Sequence, residues 1–251
     1  MRTVILGDVH LGSPLCRTAL LLEVLDKVPF DRLILNGDIF DDLNFRRLKA
    51  RHWAVLEKVR ELADTREVVW ISGNHDGAPE ALSRLLGVSV LMAYTFKFRG
   101  DKVLVVHGHE FDKFHHATRG LNNLRNVFYG FALWFDVPRK TAIQWVQKSS
   151  TIFLRATEKV KKKAVRKAQA VGARYVVVGH THHREEDEVD GVTFLNPSSW
   201  LTSQPAYVLF DDARELPCLV AVGRRRRRLL RDAVRIRARL TGRKVSKRSR
   251  S

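Results

Sequence analysis

Cysteine is nearly absent: 251 residues contain only Cys16 and Cys218. Two thiols cannot build a disulfide framework, and their spacing is not that of a metal knuckle. A reducing compartment is the natural reading. Long apolar runs are missing as well, since none approaches the roughly 20 residues of a membrane span. No cleavable leader is expected either, because residues 3–10, Thr-Val-Ile-Leu-Gly-Asp-Val-His, read as a buried strand. Acidic residues are the scarcer charge, 27 against 45 Lys and Arg, for a formal charge of +18. What is abundant is apolar character, 45% of the chain and spread throughout positions 1–222, which excludes disorder along most of its length.

The positive charge is concentrated at one end. Residues 224–251 hold 14 Lys/Arg and one acid, Asp232, a net of +13 that leaves only +5 for residues 1–223. The expected organisation is one domain over 1–223 and an Arg-rich tail over 224–251. Within the tail, Leu229, Leu230, Ala233, Val234 and Leu240 have the spacing of a short basic amphipathic helix ending near Gly242, followed by disordered chain.

Within the domain, short apolar runs at 4–6, 33–35, 68–71, 103–106 and 175–178 alternate with stretches of helical period, which predicts an α/β fold. Leu20, Leu21, Val24, Leu25 and Val28 mark one helix; Trp53, Leu56, Val59 and Ala63 mark another. Beyond Gly179 the pattern turns to strand-like pieces at 192–195 and 207–210. Residues 112–171 stand apart as a helical insertion rich in Phe128, Tyr129, Phe131, Trp134, Phe135, Trp145 and Phe153. It reads either as a lid over the active face or as ordinary core-packing helices. Its basic second half, 155–167, reads as a solvated helix face.

Each apolar run ends alike. The ends are Gly7-Asp8-Val9-His10, Asn36-Gly37-Asp38, Gly73-Asn74-His75-Asp76, His107-Gly108-His109 and Gly179-His180-Thr181-His182-His183. Ligands of open α/β sheets bind outside the carboxyl ends of strands. Five consecutive strands therefore deliver carboxylates, imidazoles and one amide to that edge, each beside a glycine that permits a tight turn. With no thiolate in the set, structural zinc and soft-metal sites are disfavoured. Asp8, His10, Asp38, Asn74, His107, His180 and His182 are too many ligands for one ion with open positions. They suit two ions roughly 3.5–4 Å apart with Asp38 as the bridge. Asp41 and Asp42 read as supports or helix-start residues, and His52, His115, His116 and His183 as solvent-facing or satisfied.

These five blocks resemble those of the calcineurin-like metallophosphoesterases: D-x-H, G-D, G-N-H-D, H-G and G-H-x-H. The resemblance covers residues 1 to about 210. It implies a four-layer α-β-β-α fold of two packed sheets flanked by helices. It also assigns Asp8, His10, Asp38 and His182 to one metal and Asp38, Asn74, His107 and His180 to the other, with Mn²⁺ the leading candidate and Fe, Zn or Mg alternatives. Asn196-Pro197-Ser198 is similar to the Asn-Pro-Gly of many members.

Within the superfamily the chain is most similar to the UDP-2,3-diacylglucosamine pyrophosphatases of lipid A synthesis. The likeness rests on Asp8-Val-His-Leu-Gly-Ser13, His107-Gly-His-Glu-Phe-Asp112, the aromatic insertion and Gly179-His-Thr-His-His183, with His109 standing where an aspartate is expected. It implies hydrolysis of a nucleotide-linked lipid diphosphate to UMP and a lipid phosphate. His75 reads as general acid or oxyanion stabiliser with Asp76 as its orienter, or else as a structural histidine. The implied location is cytoplasmic, peripheral on the inner face of the membrane, with the tail on anionic lipid. Binding of nucleic acid by the tail, or a solvated extension, are the alternatives. A soluble phosphodiester, phosphoprotein or nucleic-acid substrate, and a non-catalytic scaffold of the same fold, complete the expectations.

Overall fold

In the computed structural model the described residues are 1–77, 82–84, 87–111 and 139–223, with 139–153 and 156 given by backbone alone. The aromatic positions 128–135 and the whole tail lie outside them. Trp145 and Phe153 fall where only the backbone is described.

Among the described residues eleven strands form two sheets. The first has the order β11(Cys218–Ala221), β10(Ala206–Asp211), β1(Arg2–Leu6), β2(Arg32–Asn36), β3(Glu67–Ile71), β4(Ser89–Leu91). The second runs β5(Ala93–Phe98), β6(Asp101–Val106), β7(Tyr175–Val178), β9(Val192–Asn196), β8(Glu185–Val189). Strands β1 to β4 are mutually parallel, as are β6, β7 and β9, while β10, β11, β5 and β8 pair antiparallel at or towards the edges. Helices α1(Thr18–Lys27), α2(Ala50–Ala63) and α3(Arg139–Ala170) complete the described elements used below.

The layering follows from side-chain alternation. Val4, Leu6, Leu33, Leu35, Val68 and Trp70 turn to one face of the first sheet and pack with Leu21, Leu25, Val55 and Val59 of α1 and α2. Their strand neighbours Ile5, Ile34, Val69 and Ile71 turn the other way, meeting Val103, Val105, Tyr175 and Val177 of the second sheet. Leu104, Val106, Val176 and Val178 then form the far face, covered by Val160, Ala164, Val165 and Ala168 of α3. Three apolar clusters thus fill the three spaces between four layers, helix–sheet–sheet–helix. Strands buried on both faces need continuous apolar runs, and that is why they were conspicuous in the sequence.

One feature departs from the sequence expectation, and a second selects between two readings that it left open. The five ligand-bearing strands are not consecutive on one sheet edge. β1, β2 and β3 belong to the first sheet and β6 and β7 to the second, because β4 ends the first sheet and the hairpin β5–β6 opens the next. The carboxyl ends of both sheets nevertheless meet: Asn36 Nδ2 donates to the Val106 carbonyl at 3.1 Å across the gap. Second, the C-terminal part of the 112–171 stretch is a layer of the fold. Val160, Ala164, Val165 and Ala168 are buried on the sheet, while Lys159, Lys162 and Arg166 face outward. Lys161 is the exception among its basic residues: it is buried and paired with Glu158, Glu185 and Asp187.

Candidate metal centre

The chain leaves β1, β2 and β7 by reversing at once, and this aims the next side chains back across the strand ends. Asp8, His10, Asp38, His180 and His182 all have positive φ, between 50° and 63°. Left-handed backbone costs a non-glycine residue about 1–3 kcal/mol and collects at functional sites. Here the surrounding hydrogen bonds hold it: Asp8 N–H donates to Gly37 O at 2.9 Å and His10 N–H to Asp38 O at 3.0 Å. Close approach explains two glycines. A Cβ on Gly37 would stand 2.3 Å from His107 Nδ1, and one on Gly73 would stand 2.2 Å from the Asp38 amide nitrogen.

Two clusters of potential ligands result. Asp8, His10, Asp38 and His182 offer atoms within 4.8 Å of one another, and so do Asp38, His107 and His180. Asp38 is common to both. Asp8, Asp38 and His107 are fully or almost fully buried. His10 Nε2 and His182 Nε2 face each other at 3.0 Å, and His182 Nε2 lies 3.3 Å from Asp8 Oδ1. His107 Nε2 lies 3.3 Å from Asp38 Oδ2. The Asn74 Oδ1 atom is buried without a hydrogen-bond partner, an arrangement that is costly unless something electropositive meets it.

Outer contacts select the donor atoms. His107 Nδ1 sits 3.0 Å from the Asn36 carbonyl, which can only accept, so Nδ1 carries a hydrogen and Nε2 is the nitrogen turned to Asp38. His75 Nδ1 donates in the same way to the Asp41 carbonyl at 2.6 Å, leaving Nε2 4.0 Å from Asp38 Oδ2 at the partly open side of the cluster. The His75 amide donates to Asp38 Oδ1, and the His180 amide to the Asp8 carboxylate.

The electrostatics favour positive charge. Burial alone would raise Asp38, but His107, His75 and His10 outweigh it and hold its carboxyl well below the usual range. Burial alone would lower His107, yet the Asp38 carboxylate pushes it up to about 10. His182 is likewise raised, with Asp8 overcoming desolvation. Sites that stabilise buried imidazolium also attract cations. The hard and borderline donors, the orphaned Asn74 oxygen and this potential together fit a divalent metal site.

Asp76 is placed differently from its expected role as orienter of His75. Its Oδ1 accepts the Ile39 and Phe40 amides at 2.7 and 3.0 Å; its Oδ2 accepts Gly73 N–H at 2.9 Å and Trp70 Nε1–H at 3.1 Å. These bonds brace the Asp38 and Asn74 loops against each other, while the His75 ring is held by Asp41. Asn196 braces the last block, donating to Gly179 O and Thr181 Oγ1. Ser198 stands at φ 74° and donates its hydroxyl to the His182 carbonyl. His52 is buried, with Nδ1 accepting the Lys49 amide, whereas His183 is exposed. His115 and His116 lie outside the described residues.

Two sheets that meet at their carboxyl ends over a shared carboxylate and clustered histidines define a candidate centre for divalent cations. The family model described as calcineurin-like phosphoesterase matches residues 1–184, and the chain belongs to that family. No curated protein matches. Among solved structures it is similar to the phosphoesterase YfcE of E. coli, at 16% identity over 89% of this chain and 100% of that one, TM-score 0.49. It is also similar to an archaeal phosphodiesterase (16%; 88% and 99%; 0.46) and to Vps29 of Entamoeba histolytica in complex with Zn²⁺ (16%; 88% and 98%; 0.43).

Proposed function

We propose that the chain is a dinuclear hydrolase that cleaves the diphosphate of a nucleotide-linked glycolipid, such as UDP-2,3-diacylglucosamine, to UMP and a lipid phosphate. The observation that carries the two-ion reading is Asp38, which serves both ligand clusters at once. Asp8, His10 and His182 would hold one cation with Asp38; Asn74, His107 and His180 would hold the second with it. When bound, such cations polarise phosphoryl oxygens and make water a competent nucleophile near neutral pH, with Mn²⁺ our leading candidate.

The protein groups then divide the remaining work. Asp8 and Asp38, both buried, supply the negative charge that retains the cations. His75 is the candidate acid: its Nδ1–H is committed to the Asp41 carbonyl, so Nε2 is the nitrogen free to deliver a proton to the leaving oxygen. Asp76 keeps the loops carrying Asp38 and Asn74 at fixed separation. An amphiphilic substrate is supported by exposed Leu15, Leu43 and Phe45 on the segments that follow the Asp8/His10 and Asp38 loops, with Arg46 exposed among them. The +13 tail would add attachment to an anionic leaflet.

The test is direct. Metal-stripped protein is given Mn²⁺ and offered UDP-2,3-diacylglucosamine, bis-nitrophenyl phosphate and single-stranded DNA. UMP release from the first is the expected result. Efficient cutting of the DNA without UMP release would replace the lipid reading with a nuclease one, and inertness towards all three would favour a scaffold.

A further inference from the structure

The two histidines that stand behind Asp38 are supported in different ways. His107 leans on a backbone carbonyl, that of Asn36. His10 faces a side chain: its Nδ1, buried and without a hydrogen bond, lies 3.5 Å from Asp41 Oδ1. The other oxygen of that carboxylate, Oδ2, is 2.7 Å from Arg47 Nη2, and the second nitrogen of the same guanidinium pairs with Asp42. The 3₁₀ turn Phe45–Arg47 that carries this arginine is capped by Asn44, whose side chain accepts the Arg46 amide, and Asn44 is tied in turn to Asp42. The backbone of Asp41 is anchored to the first loop, donating to Leu11 O at 2.9 Å. A Cβ on Gly12 would stand 3.7 Å from the Cβ atoms of both Asp41 and Arg47, so the loop following His10 packs directly on the pair.

We infer that Arg47 is a positioning residue for the Asp8/His10/Asp38/His182 cluster, acting through the Asp41 carboxylate. This rests on the reading that the cluster holds a cation. A carboxylate one-quarter exposed is free to rotate into water unless its second oxygen is held. Arg47 supplies that hold as a fork, one nitrogen on Asp41 and one on Asp42, which fixes the oxygen facing His10. With the Asp41 carboxylate facing Nδ1 of His10 at 3.5 Å, Nε2 points at His182 Nε2, into the cluster. His107 has no such dependence, because the Asn36 carbonyl belongs to β2. The fold therefore makes its two candidate sites unequal, one with an adjustable support and one with a rigid support.

Arg47→Lys separates support from charge, since the cation remains while the two-pronged hold is lost. Calorimetric titration of metal-stripped protein with Mn²⁺ should show one of two affinities weakened about tenfold, the lower end for loss of an outer partner of a metal-bound histidine, and the other unchanged. Asp41→Asn should weaken the same site, and the double variant should be no weaker than Asp41→Asn alone. Nitrogen-15 histidine spectra should show the His10 tautomer becoming mixed in Arg47→Lys while that of His107 stays put. Unchanged affinities and tautomers in a folded Arg47→Lys protein would overturn the inference, as would additive losses in the double variant. A wild-type protein that takes up no Mn²⁺ would instead remove the metal reading on which it stands.

Discussion

Asp38 Oδ2 lies beside His107 while Oδ1 accepts the His75 amide, and the same carboxylate belongs to both ligand clusters. Loss of an outer partner alone costs roughly 10–100-fold in metal affinity or activity, so loss of the shared ligand must exceed that. Asp38→Asn is expected to lower hydrolysis of bis-nitrophenyl phosphate by more than about 100-fold and to reduce Mn²⁺ uptake at both sites, as read by steady-state rates and metal titration. Asp76 calls for a different experiment. Four N–H groups converge on its two oxygens, and Asp76→Asn would present an NH₂ group to two of them. Each N–H left unpaired costs about 1–3 kcal/mol, so the urea midpoint should fall while the folded fraction keeps most of its kcat. A normal midpoint with a collapsed kcat would return Asp76 to a catalytic role. Sequence spacing named these carboxylates, yet it could not divide their tasks, because hydrogen-bond partners 37 residues away decide them.

At the scale of elements, β8 was the strand least visible in the sequence. Glu185–Val189 reads EEDEV, with no apolar alternation, and a charged strand suits the edge of a sheet. Its local signal was the Asp190-Gly191 pair, where φ values of 50° and 76° make the tight turn into β9. The charge is answered from α3, where Lys161 reaches Glu185 and Asp187 at 2.8 Å each. Lys161→Met should therefore lower stability at pH 7, by about 1 kcal/mol because both acids remain partly exposed. The hydrogen bond from Lys161 holds Asp187 below its ordinary value, so its contribution is complete above that value, near 3.9, and is lost as pH falls through the lower, folded one. Urea melts from pH 7 to pH 3 should show the difference between wild type and variant constant at neutral pH and closing below about pH 4.

For the whole molecule, the charge and the chemistry sit in different places. Residues 1–223 carry a net of only +5, and the last 28 residues carry +13. Among the described residues no helix is long and apolar enough to cross a membrane. Removing residues 224–251 should leave bis-nitrophenyl phosphate hydrolysis within about twofold and the thermal midpoint within a few degrees, while abolishing co-sedimentation with phosphatidylserine-containing vesicles at low salt. Retained vesicle binding by the truncated chain would shift the membrane contact to the exposed Leu15, Leu43 and Phe45.

The sequence by itself determined which strands are buried on both faces and which candidate ligands follow them, since both are local: an apolar run, a glycine, a carboxylate or imidazole. It also showed that the large net charge belongs to one short segment. Only the tertiary structure decided that the ligand strands are divided between two sheets, because strand order depends on pairing between distant segments. Only it showed what the braces Asp41, Asp76, Asn36 and Asn196 each hold, because a carboxylate or amide has the same letter whichever way its oxygens face. The same holds for the basic stretch of α3, where Lys161 is buried and paired with Glu185 and Asp187, Lys163 reaches the Phe111 carbonyl, and Lys159 and Lys162 face water. Periodicity gives a helix its faces, but the layer it meets assigns their use.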